Sequence, residues 1–93
     1  MTAVRIPPVL RAAAGNQKQI EVVGTTVGEA LEALIAQFPS LRDQLLTPEG
    51  ALNRFVNVYV NEDDIRQKAG LDTAVKADDT IMLVPSIAGG SNG

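Results

Sequence analysis

The stretch "TVGEALEALIAQFP", residues 26–39, decides how this chain folds. Thr26 is a suitable helix N-cap, and Glu29 stands three residues on, the spacing of a capping box. Val27, Ala30, Leu31, Leu34, Ile35 and Phe38 then recur at steps of three and four, so a helix gathers them into one apolar stripe. Gly28 in the first turn is a mild weakness. Pro39 ends the run, because the residue before a proline avoids helical backbone angles. The pattern predicts a helix over 26–37 with a single face to bury.

On the upstream side, Ala3 to Ile6 is a short β-type run with Val4 and Ile6 on one face, stopped by Pro7 and Pro8, which cannot donate to a sheet ladder. "LRAAAGNQKQ" reads as a turn with Gly15 and Asn16 at its tip. Gln19 to Val23 is a second strand, with Ile20 and Val22 inward, and the two runs are expected to pair as a hairpin. Downstream, "SLRDQLL" suits a further turn of helix in which Leu41, Leu45 and Leu46 close one end of the core, and Thr47 to Gly50 is a loop. Arg54 to Val60 is the clearest strand: Val56, Val58 and Val60 face the helix, while Phe55, Asn57 and Tyr59 face away. Asn61 to Asp64 reads as a turn, Ile65 to Gln67 as a brief edge strand, and "KAGLDTAVKADD" as loop with Leu71 and Val75 tucked inward. The last strand is Thr80 to Ser86, where Ile81 and Leu83 alternate with Met82 and Val84.

The order is strand, strand, helix, strand, short strand, strand. A right-handed crossover through the helix can set a later strand parallel to the first. The fold class expected is α+β: a β-grasp, ubiquitin-like roll with a mixed sheet of four to five strands and one main helix on one face. The expected domain is 1–86, followed by a flexible tail, 87–93, that carries the diglycine Gly89-Gly90 and a three-residue extension.

Composition narrows the function. The 93 residues include no Cys and no His, which removes thiolate chemistry and the usual general base and metal ligand. A net charge of −3 and 3% aromatic residues argue against nucleic-acid binding. No apolar run reaches the ~18 residues of a membrane span, and the first residues lack the pattern of a secretory signal, so a cytoplasmic protein is expected. Glu62-Asp63-Asp64 and Asp78-Asp79 read as solvated turns rather than as a metal site, since the spacing of a calcium loop is absent. No metal and no bound cofactor are expected, and a self-contained enzyme is disfavoured.

What remains is surface and terminus. One helix covers one sheet face, so Phe55, Tyr59, Met82 and Val84 are left on the other, on strands that the β-grasp order makes neighbours. Scattered surface apolars need no explanation, but a compact patch of them marks a partner-docking face. The tail is chemically distinctive for another reason. Two glycines make a chain thin enough for a narrow channel and let its backbone lie close to a nucleotide. The four residues after Ser86 span ~13 Å when extended, enough to reach into a docked partner. A frayed, glycine-rich terminus is also common, yet this one follows directly on the closing strand.

At these residues the chain resembles the MoaD/ThiS family of ubiquitin-like sulfur carriers, and within it the CysO type of cysteine biosynthesis. The resemblance rests on "VRIPPVLR" with "GNQK", "TTVGEALEAL", "NRFVNVYVNEDDIR", "GLDTAV" and the closing "DDTIMLVPSIAGG", and so covers nearly the whole chain. It implies a β-grasp fold and a protein without an active site of its own. A ubiquitin-activating-type adenylyltransferase and sulfurtransferase would use ATP to adenylate the terminal glycine, here Gly90, and sulfur would displace AMP to leave a thiocarboxylate. Gly89, Ala88 and Ile87 would thread into that partner. A sulfur-acceptor enzyme, of which a pyridoxal-phosphate cysteine synthase is one form, would then take the sulfur. Ser91, Asn92 and Gly93 depart from the family, whose carriers usually end at the second glycine. They read as a precursor extension cut after Gly90 by a JAMM-type metalloprotease, as a remnant of cloning, or as the mark of a protein that keeps just its binding face; the first is preferred. Sister carriers serve molybdopterin, thiamin and natural products, and the same chemistry run to a lysine would make the chain a ubiquitin-like protein modifier conjugated through Gly90.

Overall fold

The helix α1, Val27–Gln37, begins where its cap is strongest. The Thr26 hydroxyl oxygen accepts the Glu29 N–H at 3.1 Å. The Glu29 carboxylate does not return the bond to Thr26, as a capping box would have it; it accepts the backbone N–H and the hydroxyl of Thr25, each at 2.8 Å. The chain is seen as a computed structural model that describes residues 1–85. The residues expected to form the reactive tail, Ile87, Ala88, Gly89 and Gly90, lie outside the described residues, as do Ser86 and Ser91 to Gly93.

Val27, Ala30, Leu31, Leu34 and Ile35 are buried along α1, and Phe38, the C-cap residue, is half-buried against the same core. A turn of 3-10 helix, Pro39–Leu41, leads into a short second helix α2, Arg42–Leu45. Leu41, Leu45 and Leu46 close one end of the core, as their spacing predicts. Gly28 weakens the helix but serves its packing: a Cβ there would meet the carbonyl oxygen of Leu71 at 3.2 Å. Gly24 is tighter still, because a Cβ would stand 2.7 Å from the Ala30 backbone nitrogen.

Five strands form one mixed sheet: β1 Thr2–Arg5, β2 Gln19–Val22, β3 Val56–Val60, β4 Asp63–Asp64 and β5 Thr80–Pro85, in the spatial order β2-β1-β5-β3-β4. The β1–β2 hairpin is antiparallel, with Val4 opposite Ile20. β5 lies in the centre, parallel to β1 and antiparallel to β3. The crossover through α1 therefore does what a right-handed connection allows. On the inner face Val4, Ile20, Val22, Val56, Val58, Val60, Ile81 and Leu83 join the α1 stripe in one apolar core. At roughly 1.5–3 kcal/mol for each large side chain taken out of water, this stripe-on-sheet contact is the main stabilising term. Among the described residues no helix is long and apolar enough to cross a membrane.

Two segments differ from the expectation. Leu10 to Ala14, expected as part of a turn, belong to a 3-10 helix, Pro8–Ala14. Proline stops a strand, but its fixed φ also suits the first turn of a helix. Here Pro8 does both, and Leu10 and Ala14, four residues apart, turn into the core. The chain then reverses at Gly15 and Asn16, with φ of 66° and 62°, so the tip of that turn is where it was expected. The second segment is Ile65–Gln67, which is a 3-10 turn and not an edge strand; the edge pairing belongs to Asp63 and Asp64, opposite Val60 and Tyr59. The Asp64 side chain accepts the Arg66 N–H at 2.8 Å and caps the turn, which lets Ile65 reach the core. At the start of β3, pairing begins at Val56, because the Phe55 N–H bonds the Asn53 side chain at 2.9 Å.

Candidate functional site

The outer sheet face is built by alternation. Because Ile81 and Leu83 point into the core, Met82 and Val84 must point out, and both are 37% exposed. Register does the rest. Met82 lies directly opposite Tyr59, and Val84 opposite Asn57. Phe55, 41% exposed, sits just before the ladder beside the end of β5, and its ring lies under the Arg54 guanidinium at 5.2 Å from the centroid. The structure thus brings Tyr59, Met82 and Val84 onto one face of the ladder, with Phe55 exposed just before it. Tyr59 is half-buried.

Sequence patterning missed the other side of this face. The parallel β1–β5 register puts Arg5 opposite Met82. Arg11, held by a hydrogen bond from its Nε to the Ile6 carbonyl at 3.0 Å, reaches the same place from the 3-10 helix. Arg5 and Arg11 with Met82, Val84 and Pro85 line an open groove of about 330 Å³. It lies where β5 ends, so the chain leaving Pro85 starts beside it. A charge on a β-type run carries no periodic signal that names its distant neighbour; the signal available was Arg5 on the outward side of the run, between Val4 and Ile6.

Asp78 and Asp79 lie on a turn, whereas Asp63 and Asp64, expected in a turn, pair as the edge strand β4. Asp79 accepts the Lys76 N–H at 2.8 Å and the Asn61 side-chain amide at 3.1 Å, while Asn61 in turn accepts the Thr80 N–H at 3.1 Å. These bonds, the one from Asn61 foremost, hold the Asp79 carboxyl below its ordinary pKa. Glu29 is lowered likewise, first by the Thr25 backbone N–H and then by the Thr25 hydroxyl. Both carboxyls hold element junctions, away from the outer face. No group of three or more potential ligands among the described residues is placed to hold a metal ion. The site as described offers a surface to bind and a strand end that leads to the terminus; it offers no assembled general acid, base or nucleophile.

A ubiquitin-like sheet with the terminus leaving its central strand beside an apolar face defines a class: small carriers and modifiers presented to other proteins. The family model of the ThiS family matches residues 4–90, and the chain belongs to that family. It is 39% identical over 89 residues to sulfur carrier protein CysO of Mycobacterium tuberculosis, covering 94% of this chain and 96% of the relative. Small archaeal modifier protein 1 of Haloferax volcanii is 34% identical over 73 residues, 77% of this chain and 79% of the relative. The crystal structure of the Amycolatopsis orientalis BexX/CysO complex contains a chain that superposes with a TM-score of 0.89 at 38% identity, covering 97% of this chain and all of that one. The protein is a homologue of the CysO sulfur carriers with the β-grasp fold, and those relatives are carrier proteins.

Proposed function

We infer that this protein carries sulfur on the carboxyl group of Gly90 and delivers it to an acceptor enzyme, with cysteine biosynthesis the reaction it serves. The observation that carries this reading is that the family match ends at Gly90, the second residue of the diglycine. A carboxylate is a poor electrophile. Attack of the Gly90 carboxylate on the α-phosphorus of ATP, within an activating enzyme, releases pyrophosphate and leaves an acyl-adenylate. A sulfur nucleophile then adds at that carbonyl, AMP departs, and the terminus becomes a thiocarboxylate. The chain's own part is to present a slender end, Ile87 to Gly90, while Phe55, Tyr59, Met82 and Val84 hold the partner. The absence of Cys leaves no internal thiol to intercept the activated carbonyl. ATP belongs to the partner; no cofactor is proposed for this chain.

Ser91 and Asn92 place side chains where a narrow channel suits glycine. The form ending at Gly90 is therefore the competent one, produced by a metalloprotease of the JAMM type. The likeness to CysO at 39% identity favours cysteine among the sulfur products. Incubating forms 1–90 and 1–93 with the activating enzyme, ATP and a sulfur donor tests the reading by intact mass. A gain of one oxygen-to-sulfur exchange is expected for 1–90 alone; an equal gain by 1–93 sinks the need for trimming, and no gain by either sinks the carrier.

The similarity to a small archaeal modifier favours a second reading, conjugation of Gly90 to lysines of other proteins. It predicts high-mass adducts that survive denaturing gels and reductant.

A further inference from the structure

The sheet topology sorts charge by end. Four chain segments meet where β5 runs out: the close of β1, the start of β2, the start of β3 and the end of β5. Arg5, Arg11, Lys18, Arg54 and Arg66, five of the eight Lys and Arg residues, lie at this end. Arg5 closes β1, and the Lys18 carbonyl accepts the Ile6 N–H at 2.8 Å. Arg66 donates to the carbonyl of Arg54 at 3.3 Å. Neither ion pair among the described residues uses any of them; those pairs join Arg42 to Glu32 and Lys68 to Asp63. The opposite end of the sheet holds Glu62 and Asp63, where β3 passes into β4, and Asp78 and Asp79 with Lys76 on the turn that opens β5. At ~3.3 Å per residue the six-residue β5 separates the two ends by about 17 Å, more than one Debye length in physiological salt. A chain with net charge −3 is thus cationic around the root of its tail.

We propose that Arg5 and Arg11 form a docking rim for an acidic protein surface around the mouth of the activating enzyme's channel, and that this rim orients the carrier tail-first. The proposal rests on the carrier reading above. Charge complementarity argues for it: neither guanidinium group pairs with a carboxylate among the described residues, and both border the groove that they form with Met82 and Val84. The partner surface is then acidic at its rim and apolar where it meets the groove. Steering of this kind raises encounter rates by 10 to 1,000-fold and fades with salt.

The test is ATP–pyrophosphate exchange by the activating enzyme, measured against concentration of the carrier ending at Gly90. Arg5→Glu with Arg11→Glu is expected to raise the KM for the carrier at least tenfold, to leave the rate at saturation near that of the parent, and to lose most of its effect in half-molar salt. Arg5→Lys with Arg11→Lys keeps the charge but gives up the Arg11 bond to Ile6; it is expected to restore KM to within about threefold, which a merely structural role for Arg11 does not allow. Lys68→Glu, away from the tail root, is the control. A doubly reversed variant that folds and matches the parent at every concentration overturns the rim while leaving the carrier reading intact. No exchange by the parent overturns the carrier reading itself. Loss of affinity for a single-stranded RNA, with exchange unchanged, overturns the rim in favour of nucleic acid.

Discussion

Thr26 and Glu29 show how two residues hold a junction on which the fold depends. Thr26→Ala removes the acceptor for the Glu29 N–H and is expected to lower stability by about 0.5–2 kcal/mol, read from urea unfolding. Gly24→Ala leaves the backbone angle permissible but drives a methyl into the first turn of α1, 2.7 Å from the Ala30 nitrogen; overpacking of this kind costs about 1–3 kcal/mol. A neutral Gly24→Ala would show that the α1 start gives way more easily than its contacts imply. Acid sensitivity is also set here. Asp79 and Glu29 titrate in the folded protein below their ordinary values of 3.8 and 4.5. In acid the unfolded chain therefore binds more protons than the folded one, so the stability these groups contribute is present above those values and is lost as pH falls through the lowered ones. The urea midpoint should hold level from neutrality to about pH 5 and then fall, and Asp79→Asn with Glu29→Gln should flatten that fall. A midpoint that climbs on acidification would contradict the assignment. Thr26 was legible as a cap from spacing alone; that Glu29 would bond Thr25 was not, because it depends on how the chain enters the helix.

Elements with a period were legible and elements without one were not. α1 repeats at three and four, and β3 and β5 alternate, so each states its own buried face. Leu83 and Val84 make the sharpest test, being adjacent and on opposite faces. Leu83→Ala should cost about 2–5 kcal/mol, whereas Val84→Ala should stay within about 0.5 kcal/mol; equal losses in thermal unfolding would mean the faces are misassigned. The 3-10 segments Pro8–Ala14 and Ile65–Gln67 are too short for periodicity. Their fate was decided by where Leu10, Ala14 and Ile65 could find the core. A two-residue edge strand such as β4 carries no pattern at all.

Over the whole molecule, folding and chemistry separate. The core is complete in the described residues, and the proposed reactive terminus follows after it. Removing Gly89 to Gly93 should leave the melting temperature within about 2 °C of the parent, since the core of the described residues is drawn from Val4 to Leu83, and should abolish thiocarboxylate formation by intact mass. If the shortened form still supports sulfur transfer, the terminus is not the reactive group. On the proposed reading, Met82→Asp buries a charge at the proposed docking face when a partner arrives and should reduce exchange with the activating enzyme at least tenfold, while the free protein unfolds at a temperature near the parent's. An unchanged rate would move the docking face elsewhere.

Read alone, the chain states its helix, its main strands, their inward and outward faces and the diglycine, because each of these is a local property: a period, a cap, a residue type. Topology alone brought Arg5 beside Met82, ranged Tyr59 across from it, and gathered five cations around the end of β5, since contacts between strands distant in sequence have no local signature. They exist because α1 must lay its one apolar stripe on a sheet, and in this chain that requires β5 to enter between β1 and β3.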